Sequence, residues 1–286
     1  MRDAAVFIVS LSALAYEILL ARCFAVSQWH HLAFMVISVA LFGFGASGTV
    51  LSLFDARRPG WERRMSRPEA LGRLLCVFSF TAVAAFVLVN RLPLDYARLP
   101  FQPVQALYLL TAFLALASPF GVAGTVVSVA YAAAAERTGR TYLATMGGSA
   151  VGALLPAAAL PSIGEGKLVL GVTLLPLLIV FYSGGRANRA AALILAGGIA
   201  LLPMVWPEAA QVTPSPYKGL SQVRRFPDTR VTETAHGMRG RIDRVESPYI
   251  RFAPGLSLTF TGRMPPQTAV FIDADSRVVL YDVETP

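Results

Sequence analysis

Three glycines in the stretch ALFGFGASGTV, residues 40 to 50, are spaced G-x-G-x-x-G: Gly43, Gly45 and Gly48. Between a β-strand and a helix, that spacing lets a loop cradle dinucleotide phosphates, with an acidic residue about 20 positions on to hold a ribose. Here the glycines lie inside an apolar run, HLAFMVISVALFGFGASGTVLSLF, and the first charge after them is Asp55, followed by Arg57 and Arg58. A phosphate placed in such a run would lose its water at prohibitive cost. Small residues in a lipid-embedded helix instead let a neighbouring helix come close. Gly43, Gly45 and Gly48 are therefore expected to pack helices, as are Gly148 and Gly152 in GGSAVG. No nucleotide cofactor is expected.

Four other groups carry polar chemistry. Glu17 and Arg22 interrupt the apolar run AAVFIVSLSALAYEILLARCFAVS. Each costs about 2.5–3.5 kcal/mol at the centre of a membrane helix. Five positions apart, they project about 140° from one another and do not pair directly. One reading is a proton, ion or polar-substrate path. The other is a buried polar lock at Glu17, with Arg22 meeting another helix or snorkelling to the interface. Next come His30 and His31, after Trp29. Adjacent histidines diverge on a helix and make a poor metal pair. A single ring can ligate haem or bond a quinone, against the alternative of an interfacial Trp-His belt. Asp273 and Asp275, in FIDADS, could face a cationic amine or simply close a strand in an Asx-type turn. His236 reads as a turn residue. Cys23 and Cys76 read as small buried hydrophobes, and no C-x-x-C, H-E-x-x-H, Walker or Ser-His-Asp pattern is present. No metal site is expected.

The elements that must position these residues are mostly membrane helices. The 286 residues are 55% hydrophobic and only 15% charged, and the mean hydropathy is +0.57. A span needs roughly 20 apolar residues. Seven stretches qualify, near 4–27, 31–54, 71–90, 104–134, 142–162, 168–183 and 189–206. Ser118-Pro119-Phe120-Gly121 is expected to kink or break the fourth. The net charge of +8 is almost all arginine, since Lys167 and Lys218 are the only lysines. Many of these charges sit in short loops and act as topology signals, so no nucleic-acid partner is expected. Arg57, Arg58, Arg63, Arg64, Arg67, Arg73, Arg137, Arg140, Arg186 and Arg189 fall on one side, against Arg91, Arg98 and Lys167 on the other. That asymmetry predicts a cytoplasmic N-terminus and, with seven spans, an external tail.

Residues 1–206 thus form a transmembrane helical domain, 207–216 a Pro-rich linker and 217–286 a small β-rich soluble domain. In the tail, SPYKGLSQVRRF predicts a short helix, and TRVTETAHGMRGRIDRVES a hairpin. LSLTF and TAVFIDADSRVVLYD predict two or three further strands. The fold class is an all-α polytopic membrane bundle with a small β-rich C-terminal domain.

The stretch LSALAYEILLARCFAVSQWHHLAFMVISVALFGFGASG resembles the opening of bacterial spermidine-synthase-like (fused MFS/spermidine synthase) membrane proteins, through Tyr16, Glu17, Arg22, His31, Phe34 and the glycines. ERTGRTYLATMGGSAVGALLPAAALPSIG is similar to a later span junction of that family, with Gly139, Arg140, Tyr142, Gly147 and Gly152 in matching places. SPYKGLSQVRRFPDTRV and FAPGLSLTFTGRMPPQTAVFIDAD resemble the segment leading into the synthase-like domain. The resemblance implies a multi-pass protein of the bacterial inner membrane. It also implies a nucleoside-binding Rossmann domain, of which nothing is seen up to Pro286, so no catalytic residue is carried over. Three functions are open. The first is a non-catalytic membrane subunit whose tail docks a protein partner or a second copy. The second is the membrane-bound half of an aminopropyltransferase whose Rossmann part is a separate chain. The third is an MFS-like half-transporter.

Overall fold

The computed structural model describes residues 2–28, 30–57, 60–133, 135–253, 255–257, 259–262 and 264–281. Its helices are α1 (Arg2–Ser27), α2 (His30–Arg57), α3 (Trp61–Met65), α4 (Pro68–Arg91), α5 (Pro103–Ala132), α6 (Thr138–Ile163), α7 (Glu165–Ser183), α8 (Arg186–Val205) and α9 (Gly219–Val223). Seven of them, all but α3 and α9, are long and apolar enough to cross a membrane. They correspond to the seven stretches read from hydropathy. Four strands follow: β1 (Arg230–Ala235), β2 (Ile242–Glu246), β3 (Gln267–Ile272) and β4 (Ser276–Tyr281).

Helix α1 is the central post. Of its most apolar window, 61% is buried within the chain, against 17% for α8. Lipid is as apolar as leucine, so helices associate in it through close backbone packing. Gly148 and Gly152 supply this on α6. A Cβ at Gly148 would collide with the Phe7 carbonyl, and one at Gly152 with the Leu11 carbonyl. The two pairs share a four-residue spacing, so one ridge of α6 lies along one ridge of α1. Helices α2 and α5 meet in the same manner: a Cβ at Gly43 would strike the Ala117 carbonyl and Phe120, and one at Gly124 would strike Ser47 and Phe44. Gly45 and Gly48 differ from expectation. A Cβ at either would meet nothing within 4 Å. They lie on the outward side of α2 and make no helix contact among the described residues.

Helix α5 runs unbroken from Pro103 to Ala132 through Pro119, so of the expected kink or break the break does not occur. Pro119 has no N–H to give the carbonyl of residue 115. The Ser118 hydroxyl takes that place, donating to the Ala115 oxygen at 2.7 Å. Deeper in the core, the Tyr16 hydroxyl donates to the Ala82 carbonyl at 2.8 Å and ties α1 to α4.

The tail folds as a four-stranded antiparallel meander in the order β1-β2-β3-β4. The hairpin, the short helix and the last two strands match the sequence pattern. LSLTF does not become a strand among its described residues. Val245, Ala269 and Phe271 point to one face, where Leu220, Val223, Ile250 and Ala274 complete a small core. The tail folds back onto the bundle. The backbone N–H of Ser215 donates to the Ser27 carbonyl at 2.7 Å, Arg91 pairs with Glu208 at 3.0 Å, and the Tyr217 hydroxyl donates to Asp95 at 2.9 Å. The tail therefore sits on the end of the bundle formed by the C-termini of α1, α4, α6 and α8.

Candidate functional site at the junction of bundle and tail

Arg22 lies on α1 little more than one turn before its end. Its guanidinium reaches out of the bundle to the turn between β3 and β4. There it donates to both Asp273 oxygens, at 2.8 and 3.3 Å. That forked, charge-assisted geometry is the strongest a guanidinium makes with a carboxylate. Asp273 can present its carboxylate this way because the turn is sharp: Asp273 and Ala274 have φ of 48° and 61°. The Arg241 backbone N–H holds the same carboxylate at 2.9 Å, and the Asp273 N–H returns a bond to the Arg241 carbonyl at 2.8 Å.

Glu165 faces Arg22 from a second helix, at 3.9 Å. It is the first residue of α7, where the helix dipole favours negative charge. Gly164 before it adopts φ +81°, a conformation suited to glycine. Glu165 also meets His236, which follows β1, through Nδ1 at 2.5 Å. With Nδ1 donating to a carboxylate, Nε2 of the neutral ring is the acceptor. Two further pairs close the cluster. The Lys218 ammonium donates to the carbonyls of Ala25 and Asp273 at 2.8 and 2.9 Å. Arg241 binds Asp243 at 2.8 Å, and Thr234 donates to the same carboxylate oxygen at 2.8 Å. Burial lowers the Lys218 pKa, and the charges of Asp275 and then Asp273 act in the opposite direction.

Three carboxylates (Glu165, Asp273 and Asp243) thus pair with two guanidinium groups (Arg22 and Arg241) in a nearly dry junction, with the Lys218 ammonium held by backbone carbonyls. Charges tolerate such burial only when paired and hydrogen-bonded. Removing one partner of a buried pair costs about 3–5 kcal/mol. The chemistry the cluster supports is mutual: it fixes the tail to the bundle. A cleft of about 370 Å3 opens beside it, lined by Glu165, Lys167, Arg224, Thr234, His236 and Arg241. Glu165 orients the His236 ring much as a carboxylate orients a catalytic imidazole. Among the described residues, however, no Ser, Thr or Cys is hydrogen-bonded to that ring.

The structure brings together residues that sequence spacing kept apart. Arg22 does not snorkel into an aqueous interface; the side chain is 12% exposed and held by Asp273 and Glu165. Glu17 is half-buried and forms no ion pair with Arg22 or with any other described residue. Asp273 does bind a cation, the chain's own Arg22. Asp275 forms no ion pair with Arg22, and both carboxylates act electrostatically on the Lys218 ammonium. His236 is more than a turn residue, since it bonds Glu165. His30 and His31 open α2, but their side chains lie outside the described residues, as does Trp29. Sequence reasoning passed over Glu165, Lys218, Arg241 and Asp243. One signal was available: Glu165 is the only acidic residue between Glu136 and Glu208. No family model, no curated protein and no solved structure matches this chain.

Proposed function

We propose that this protein is a non-catalytic membrane subunit that anchors or scaffolds a complex, with its helices in the lipid and its β-rich tail docking a partner. The observation that carries this reading is a one-sided sheet on a latched tail. Val245, Ala269 and Phe271 fill the inner face. The opposite face exposes Ile242, Ile272, Val278 and Leu280, at 44%, 39%, 53% and 53%. On this face Ile242 stands opposite Ile272, Val278 opposite Val270 and Leu280 opposite Thr268, with Arg244 and Glu246 alongside. A contiguous exposed apolar patch marks an interaction surface. The buried ion pairs beneath it hold that surface at a set angle to the membrane, as a scaffold requires. The arginine-rich loops at the far end of the bundle support a cytoplasmic N-terminus in a bacterial inner membrane and a tail on the external side. Asp273, weighed above as amine-facing, binds the chain's own Arg22.

The test is isolation of the full chain from native membranes in mild detergent. A stoichiometric protein is expected to co-purify and to be released by Val278→Asp with Leu280→Arg, while the tail stays folded. A lone monodisperse monomer, unchanged by those substitutions, would contradict the reading.

A further inference from the structure

A second polar feature lies in the bundle, away from the ion-pair cluster. A cavity of about 590 Å3 sits at the tail-side end between α1, α4, the turn at Tyr96–Arg98, the start of α5 and residues 213–217. Its walls begin just beyond the Tyr16–Ala82 tie. Leu20 on α1 and Phe86 on α4 line it, each four residues past the tied position, or about 6 Å along the axis. Leu116 of α5 joins them in an apolar floor. Toward the mouth the lining turns polar. Val104, at the start of α5, also lines the cavity and is 45% exposed.

Most polar groups at the mouth are satisfied. Asp95 accepts from Arg98, Tyr217 and the Ala97 N–H, at 3.1, 2.9 and 3.0 Å. Gln105 accepts from the Asp95 N–H at 2.9 Å and donates to the Pro93 carbonyl at 3.4 Å. Two lining side chains are different. Asn90 Nδ2 and the Tyr96 hydroxyl are buried, and neither has a hydrogen-bond partner among the described residues. Buried polar atoms left unpaired are costly and call for an explanation. Burial pushes the Tyr96 pKa up to about 12, so its hydroxyl keeps its proton. Both groups can therefore donate, and what is missing is an acceptor. With Asp95 balanced by Arg98, the mouth has no spare charge to recruit an ion.

We propose that this cavity binds a membrane amphiphile whose neutral carbonyl or ester oxygen accepts hydrogen bonds from Asn90 and Tyr96, and whose apolar part lies along Leu20, Phe86 and Leu116. The volume is within the range of small-molecule sites, about 300–1,000 Å3. At about 30 Å3 per water-sized group it holds about twenty such groups. That suits a head group and a short length of chain, with the remainder passing Val104 into lipid. Two membrane sources present this chemistry: the ring carbonyl of an isoprenoid quinone and the ester carbonyl of a diacyl lipid.

The experiment uses the full chain, delipidated in detergent, with thermal-shift titrations of decylubiquinone and of dioleoyl phosphatidylglycerol. Saturable stabilisation by at least one probe is expected, and which probe saturates identifies the source. Tyr96→Phe, which keeps the shape, and Asn90→Leu should each weaken that binding by about 3- to 10-fold, the worth of one neutral hydrogen bond. Val89→Phe, which fills the cavity, should abolish it. Saturation by neither probe, or affinities that stay within twofold in both donor variants, would overturn the proposal.

Discussion

The α1–α6 contact and the bundle–tail junction both hold elements together on the same central helix, by opposite means. Along the apolar stretch of α6, Gly148 and Gly152 let two backbones touch, and the ion pair between the two helices, Arg140 with Asp3 at 2.7 Å, lies apart from them near the helix N-termini. At the tail-side end of α1, Arg22 reaches Asp273 and Glu165 through ion pairs. The difference follows from the solvent each region displaces. Within lipid, burying apolar surface gains nothing, so association rests on backbone proximity and van der Waals contact. At the end of the bundle, charged residues can be solvated while the chain is unfolded, so a tail can be joined by charges once each has a partner.

This contrast can be broken most forcefully at the junction. Asp273→Ala leaves Arg22 buried without its main counter-ion, and should cost about 3–5 kcal/mol of junction stability. Thermal unfolding in detergent and proteolysis within residues 207–218 measure it. The double replacement Arg22→Met with Asp273→Leu should recover part of that loss, because the Arg22 charge is no longer stranded, while Glu165 keeps only His236 as a partner among the described residues. The next largest effect is expected at Gly152→Val. It forces α6 away from the Leu11 carbonyl and should cost about 1–3 kcal/mol, read as a lower melting temperature with the junction still resistant to protease. Tyr16→Phe removes only the bond to Ala82, and should cost about 0.6 kcal/mol, as single polar contacts in membranes do. The smallest effect sharpens the comparison from the other side. Gly48→Ala should change stability by less than about 0.5 kcal/mol, because a Cβ there meets nothing. A large loss at Gly48 in the native membrane, absent in detergent, would reveal a contact made outside this chain.

The glycines illustrate how far a sequence can be read. Their surroundings argued against phosphate binding and pointed to lipid. Which of them pack was not legible, because Gly43 and Gly45 differ only in the face of α2 they occupy. The same limit applies to the charged residues. Arg22 and Asp273 are 251 positions apart, and no local pattern links them. His236 looked like a turn residue because its neighbours make a turn. Its bond to Glu165 depends on where α7 begins relative to the hairpin. That the helix continues through Pro119 was not legible for a different reason: the hydroxyl of Ser118 was adjacent, but its rotamer was not visible in the sequence.

The residues alone determined the seven apolar helices, the arginine asymmetry of the loops, and a tail of short alternating strands. These are local properties, set by runs of side chains against lipid or water. Only the tertiary structure decided which glycines touch, which cation meets which carboxylate, and that two donors lining the cavity are left without an acceptor. Those are matters of pairing between distant segments, and a pair exists only once the chain has brought both partners to the same place.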